Sequence, residues 1–177
     1  MREVADGAGV ALGAILLATG LSGPEDTAPG LVVAYAGFEG LFLGGLSGTM
    51  EYFYPGIALQ AVVGTLAVAG TVLVLFRMGV LRTSPRLNKI FMVALVAYML
   101  FGLVNIGAML LMGQSLREGA LGLAIGGIAV VLASYSLVMD FESVQHAAEA
   151  GVPRKYAWRL AFGVTVTMVW LYVEILR

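Results

Sequence analysis

Apolar runs of about twenty residues, interrupted only where turn-forming residues cluster, dominate this chain. A helix needs roughly 20 residues to cross a bilayer core of about 30 Å. Six stretches reach or approach that length: Gly7–Ser22, Leu31–Thr49, Gly56–Phe76, Ile90–Met112, Gly119–Met139 and Tyr156–Leu176. The breaks carry turn chemistry, at Ser22-Gly23-Pro24, Tyr54-Pro55-Gly56, Ser84-Pro85 and Gly151-Val152-Pro153. The chain is 60% hydrophobic and 12% charged, against about half and a quarter in soluble domains. The expectation is an all-α, polytopic membrane helix bundle, a single integral membrane domain over residues 1–177, with no room for a soluble domain.

Charge orients the bundle. Arg77, Arg82, Arg86 and Lys89 lie between the third and fourth stretches, and Arg154, Lys155 and Arg159 near the break between the fifth and sixth. Basic linkers stay in the cytoplasm, so these two share one side. The other connections carry Glu51 and the cancelling pair Arg117-Glu118. That alternation places the amino terminus outside, yet Met1-Arg2-Glu3-Val4-Ala5-Asp6 is not a basic signal-peptide start. The simpler expectation is six helices here out of seven, the first lying upstream. A net charge of −1 gives no basic face for nucleic acid, and the absence of cysteine removes disulfides and thiol chemistry.

Three acids stand inside or at the edge of apolar stretches with no Lys or Arg near them, Arg159 at the far end of the sixth stretch being the only base: Asp140, Glu174 and Glu39. An ionised carboxylate in hydrocarbon is costly unless paired, solvated or protonated. The three are therefore candidates for pH sensing and for an ion pathway, and the plainer reading is neutral acids bonded to hydroxyls and backbone. Among the polar residues expected inside the bundle, Gln60, Asn105, Ser134, Ser136, Thr165 and Thr167, Asn105 and Gln60 are candidate pore-lining groups because each offers a carbonyl oxygen to a cation. Tyr52, Tyr54, Tyr98, Tyr156, Trp158 and Tyr172 fit an interfacial aromatic belt.

Gly40, Gly44 and Gly48 repeat at spacing four, as do Gly122 and Gly126. Such stripes let helices approach closely, and packing within the bundle is the simpler reading than a dimer interface. Gly-Leu-Ser-Gly tetrads at Gly20–Gly23 and Gly45–Gly48 resemble the nucleophile motif of intramembrane serine proteases. That chemistry needs a histidine within reach of the serine, and the only histidine, His146, falls on the opposite, cytoplasmic side from Ser47. No enzymatic activity and no cofactor are expected.

The segment Ser136-Leu-Val-Met-Asp140-Phe, followed by Tyr156-Ala-Trp and Trp170-Leu-Tyr-Val-Glu174-Ile-Leu-Arg177, resembles the transmembrane Bax inhibitor motif family, most closely its bacterial YccA-like branch. Ala34-Tyr-Ala-Gly-Phe-Glu39-Gly-Leu-Phe-Leu-Gly44, Tyr54-Pro-Gly with Gln60-Ala-Val, and Val104-Asn105-Ile also fit, so the likeness covers roughly Leu31 to Arg177. The resemblance implies seven helices with the last at the centre, of which this chain lacks the first, and a place in the bacterial inner membrane. It implies a pH-sensitive calcium leak in which two acids share a proton, and by motif position these are Asp140 and Glu174, which are also possible transient Ca²⁺ ligands. Glu174 stands where many members have aspartate, and Ser22–Pro29 lacks the family's usual arginine.

Counting residues across the last hairpin sets Asp140 level with Val166, leaving Glu174 about 12 Å further out at 1.5 Å per residue. Pairing of Asp140 with Glu174, or with Glu39 while Glu174 sits nearer Asn105, both remain open. The expected function is a pH-sensitive cation leak, for Ca²⁺, gated by intramembrane acids, with the bilayer, H⁺ and Ca²⁺ as partners. The alternative is a non-conducting regulator of a membrane-bound quality-control protease, acting through the basic linker Arg77–Lys89. A proton-coupled transporter ranks third, since no inverted repeat is evident.

Overall fold

In lipid, backbone amides find no water to bond, which leaves helices and closed barrels as the structures able to span. The computed structural model describes residues 29–113, 115–117, 119–153 and 155–177. Among these residues there are five helices, not six: α1 (Pro29–Phe53), α2 (Ile57–Arg77), α3 (Pro85–Met112), α4 (Gly119–Glu149) and α5 (Lys155–Leu176). The first expected span, Gly7–Ser22, lies outside the described residues. Of the five, α2, α3, α4 and α5 are long and apolar enough to cross a membrane.

The helices outrun the apolar stretches because hydropathy marks only the part that suits lipid, whereas the backbone ladder continues until a cap ends it. Thus α4 runs ten residues past Met139 to Glu149, and α3 starts at Pro85, where the Ser84 side chain accepts from the Leu87 N–H at 3.2 Å. The tight turn joining α1 to α2 is held by Glu51, whose carboxylate accepts from the N–H groups of Gly56 at 2.6 Å and Ala58 at 3.0 Å. Short connections make successive helices antiparallel. The basic linker 78–84 and the α4–α5 turn therefore share one end, and a hydrogen bond from Thr83 to Glu142 ties that end together.

Helix α5 is central, packing on α4, α2 and α1. On one side Val72 of α2 meets Leu137 and Val138 of α4, backed by Val164 and Met168 of α5. On the other, Val32 and Tyr35 of α1 pack on Phe162, with the Tyr35 and Phe162 rings edge to face at 5.1 Å. Ala129, Ala133 and Leu137, one turn apart in succession, are fully buried along α4. Leu41, Leu111 and Leu123 point outward, as side chains facing lipid should.

Two expectations about interior residues need correction. Gln60 and Thr165 are exposed, so they do not belong to the polar interior. Gly40, Gly44 and Gly48 have no atom within 4 Å of where a Cβ would stand, so among the described residues no helix packs closely on that stripe. Spacing alone marks a face as narrow without saying that a neighbour occupies it.

Candidate functional site

Residues Gly163, Thr167, Trp170 and Glu174 recur at intervals of four, three and four, and so share one face of α5. All three acids meet this helix. Asp140 reaches it from α4, where its Oδ2 accepts from the Thr167 hydroxyl at 2.5 Å and its Oδ1 stands 3.3 Å from the ideal Cβ position of Gly163. Ser136 adds a contact to Thr167 at 3.3 Å. This matches the register expected across the hairpin.

Glu174 is two turns further along, about 10 Å from the level of Thr167. Its carboxylate is committed elsewhere: Oε2 pairs with Arg117 Nη2 at 2.8 Å, and Oε1 accepts from the Tyr98 hydroxyl. The Arg117 and Glu174 side chains are only 9% and 4% exposed. Asp140 and Glu174 therefore do not share a proton in this structure. Nor is Glu174 an acid without a base, although the one base in its own apolar stretch, Arg159, lies 15 residues back along the helix.

The base comes from the α3–α4 linker, which folds back into the bundle. Asn105 lies two turns, about 10 Å, before the end of α3. Its Oδ1 accepts from the Leu116 N–H at 2.7 Å and the Ser115 hydroxyl at 3.3 Å, and Ser115 Oγ accepts from the Arg117 N–H at 3.2 Å. Asn105 is thus buried as predicted, but its carbonyl oxygen is used on the linker and not offered to an ion. Arg117 then lays its guanidinium 5.6 Å from the centre of the Tyr98 ring and donates to the Tyr98 hydroxyl at 3.3 Å. Tyr98 leaves the interfacial belt and joins the buried cluster.

Gly122 makes this fold-back possible. A Cβ there would stand 2.4 Å from the Arg117 carbonyl oxygen, well inside van der Waals contact. Gly113, which ends α3 at φ +69°, starts the reversal in the left-handed region that only glycine enters freely. Exchanging Gly122 for alanine is expected to push the linker away and loosen the Arg117–Glu174 pair. A net destabilisation of about 1–3 kcal/mol follows from overpacking, partly offset by alanine's better helix propensity. Thermal unfolding in detergent checks it, and an unchanged midpoint would show that the linker is not held here. A cleft of about 680 Å³ opens beside the pair, lined by Arg117, Gly122, Gly126, Glu174 and Arg177.

Glu39 of α1 is the third acid, 5% exposed. Tyr35, one turn earlier, holds its hydroxyl against the carboxylate, while Glu39 Oε1 is buried without a hydrogen-bond partner. Glu39 lines a cavity of about 240 Å³ with Tyr35, Tyr98, Val166, Val169 and Trp170, between the levels of Thr167 and Glu174. It does not pair with Asp140.

Around the site, Ser47 donates to the Leu43 carbonyl at 2.6 Å and accepts from the Tyr172 hydroxyl at 2.6 Å, and His146 is exposed on α4. The acids thus stand apart along one central helix, each with neighbours of its own. The family model for Bax inhibitor 1 like proteins matches residues 4–177 of the chain. The chain belongs to the Bax inhibitor 1 like family. No curated protein and no solved structure matches it. Arg117 was the residue that sequence reasoning missed. Its signal was faint: a lone base beside an acid in a linker, followed by glycine at 119 and 122.

Proposed function

We propose that this membrane protein lets cations leak down their gradient, with Ca²⁺ the favoured ion and protonation of its intramembrane acids setting the rate. The observation that carries the reading is the placing of Asp140, Glu39 and Glu174, from three helices, at successive levels of α5 within about 10 Å of rise. Ionisable groups inside a membrane usually mark an ion path. Carboxylates are hard oxygen ligands of the kind Ca²⁺ takes. Family likeness supports the same direction, and the bacterial inner membrane is the proposed location.

Separate acids change the expected mechanism. With no shared proton, each carboxylate responds to pH through its own surroundings, and Arg117 adds a fixed positive charge beside the outermost one. A cation passing Glu174 has to displace that guanidinium or wait for it to move. Protonating Glu174 removes its hold on Arg117, and protonating Asp140 removes a charge that attracts the ion.

Reconstituted protein in liposomes should pass Ca²⁺ in a pH-dependent way. Asp140→Asn or Glu174→Gln should abolish the pH response, while Arg117→Gln should raise flux at neutral pH. Flux with wild-type pH dependence in both acid variants would remove the mechanism.

A second reading, a non-conducting regulator docked on a membrane-bound quality-control protease, is favoured by the exposure of Arg77, Arg82, Arg86 and Lys89 at the basic end. Arg82→Glu combined with Arg86→Glu should then abolish co-purification with the protease while leaving any flux untouched. Both readings are non-enzymatic.

A further inference from the structure

Glu39 presents a problem that its place among the three acids does not answer. A carboxylate oxygen has been moved out of water, to 5% residue exposure, and given no donor. Leaving a buried acceptor unsatisfied costs about 1–3 kcal/mol, and more for a charged group. The Arg117 charge does not offset this, because Glu174 already pairs with it. What faces Glu39 is a cavity of about 240 Å³ whose walls are aromatic and aliphatic.

Its wall chemistry narrows the occupant. Calcium takes six to eight oxygen ligands at about 2.3–2.6 Å, whereas this cavity offers one carboxyl group and two phenols. No group of three or more acids or histidines able to hold a metal occurs among the described residues. A single water bonded to Glu39 would leave most of the space unfilled, since one occupies roughly 30 Å³ in the liquid. An organic cation fits both halves of the problem. Its charge meets Glu39, its alkyl groups meet Val166 and Val169, and its positive surface suits the aromatic lining of Tyr35, Tyr98 and Trp170.

The walls are also braced. Tyr35 packs on Phe162 at 5.1 Å, and Tyr98 packs on Trp170 at 5.7 Å with its hydroxyl tied to Glu174 and Arg117. Exposed Met99 sits at the rim, between α1 and α3, where a ligand can enter. The volume lies below the roughly 300–1,000 Å³ of drug-sized pockets, which limits the ligand to a few carbons around the charge.

We propose that the cavity between α1, α3 and α5 binds a small quaternary or alkyl ammonium ion, with Glu39 as counter-ion and Tyr35, Tyr98 and Trp170 as its aromatic walls. The site stands independently of any ion conduction. The chain has two tryptophans, so Trp158→Phe leaves Trp170 as the sole reporter.

Titrating that variant in detergent with choline should give a saturable change in Trp170 emission. The uncharged isostere 3,3-dimethylbutan-1-ol should bind at least tenfold more weakly. Adding Glu39→Gln, which keeps the shape and removes the charge, should weaken choline at least tenfold. Adding Tyr35→Leu should weaken it several-fold and provides a second variant should Glu39→Gln fail to fold. Equal binding of the neutral isostere, undiminished choline affinity in Glu39→Gln, or no saturable response to choline would each overturn the proposal.

Discussion

Exchanging Arg117 for alanine is expected to destabilise the folded bundle by about 3 kcal/mol at neutral pH, at the lower end of the roughly 3–5 kcal/mol found when one partner of a buried ion pair is removed. The argument rests on what remains. Glu174, with a side chain 4% exposed, would keep only the Tyr98 hydroxyl as a donor. An uncompensated charge at the centre of a membrane helix costs about 2.5–3.5 kcal/mol on insertion scales; the place of Glu174 two residues from the end of α5 and the surviving hydrogen bond both soften the loss. The double variant Arg117→Met with Glu174→Gln should recover most of the stability, since replacing both members of a buried pair is often close to neutral. Equilibrium unfolding followed by tryptophan emission measures all three proteins. A double variant no more stable than Arg117→Ala alone would mean that the side chains matter for packing and not as a pair.

Leu137→Ala should cost about 2 kcal/mol. Leu137 is fully buried where α2, α4 and α5 meet, against Val68, Val72, Phe76 and Val164. In a water-soluble protein such a truncation costs about 2–5 kcal/mol, from lost transfer energy together with a cavity. Here the unfolded reference is a helix in lipid, where leucine is already among hydrocarbon, so the transfer part largely vanishes. The cavity and the lost dispersion contacts remain, which places the expectation at the low end. Val131→Ala on the same helix, at a position 68% exposed, should change stability little. Comparable losses at the two positions would contradict the central placing of α5 against α4.

The parts of the fold that depend on composition are legible in the chain itself. Four of the spans follow from hydropathy, their ends from Ser84-Pro85 and Gly151-Val152-Pro153, and the register of the last hairpin from counting, since Asp140 does meet α5 at Gly163 and Thr167. Six spans became five described helices because the first falls outside the described residues. The interior of the bundle was read less well. Gln60 and Thr165 were assigned inside from being polar within an apolar run, yet which face of a helix turns inward depends on neighbours that the run does not name. Asn105 is buried as expected and holds the linker, because an amide oxygen suits a backbone N–H as readily as an ion.

By itself the sequence determined that the chain is an all-helical membrane protein of the Bax inhibitor 1 like family, and that Asp140, Glu39 and Glu174 are its costly residues. These are local properties, set by how each segment partitions between water and lipid. Tertiary structure alone decided the partners of those acids. Asp140 found Thr167, Glu174 found Arg117 through a linker that Gly122 lets fold inward, and Glu39 was left facing a cavity. The physical reason is distance: charges interact over a few ångströms in space, and the 57 residues separating Arg117 from Glu174 along the chain carry no trace of the 2.8 Å between them.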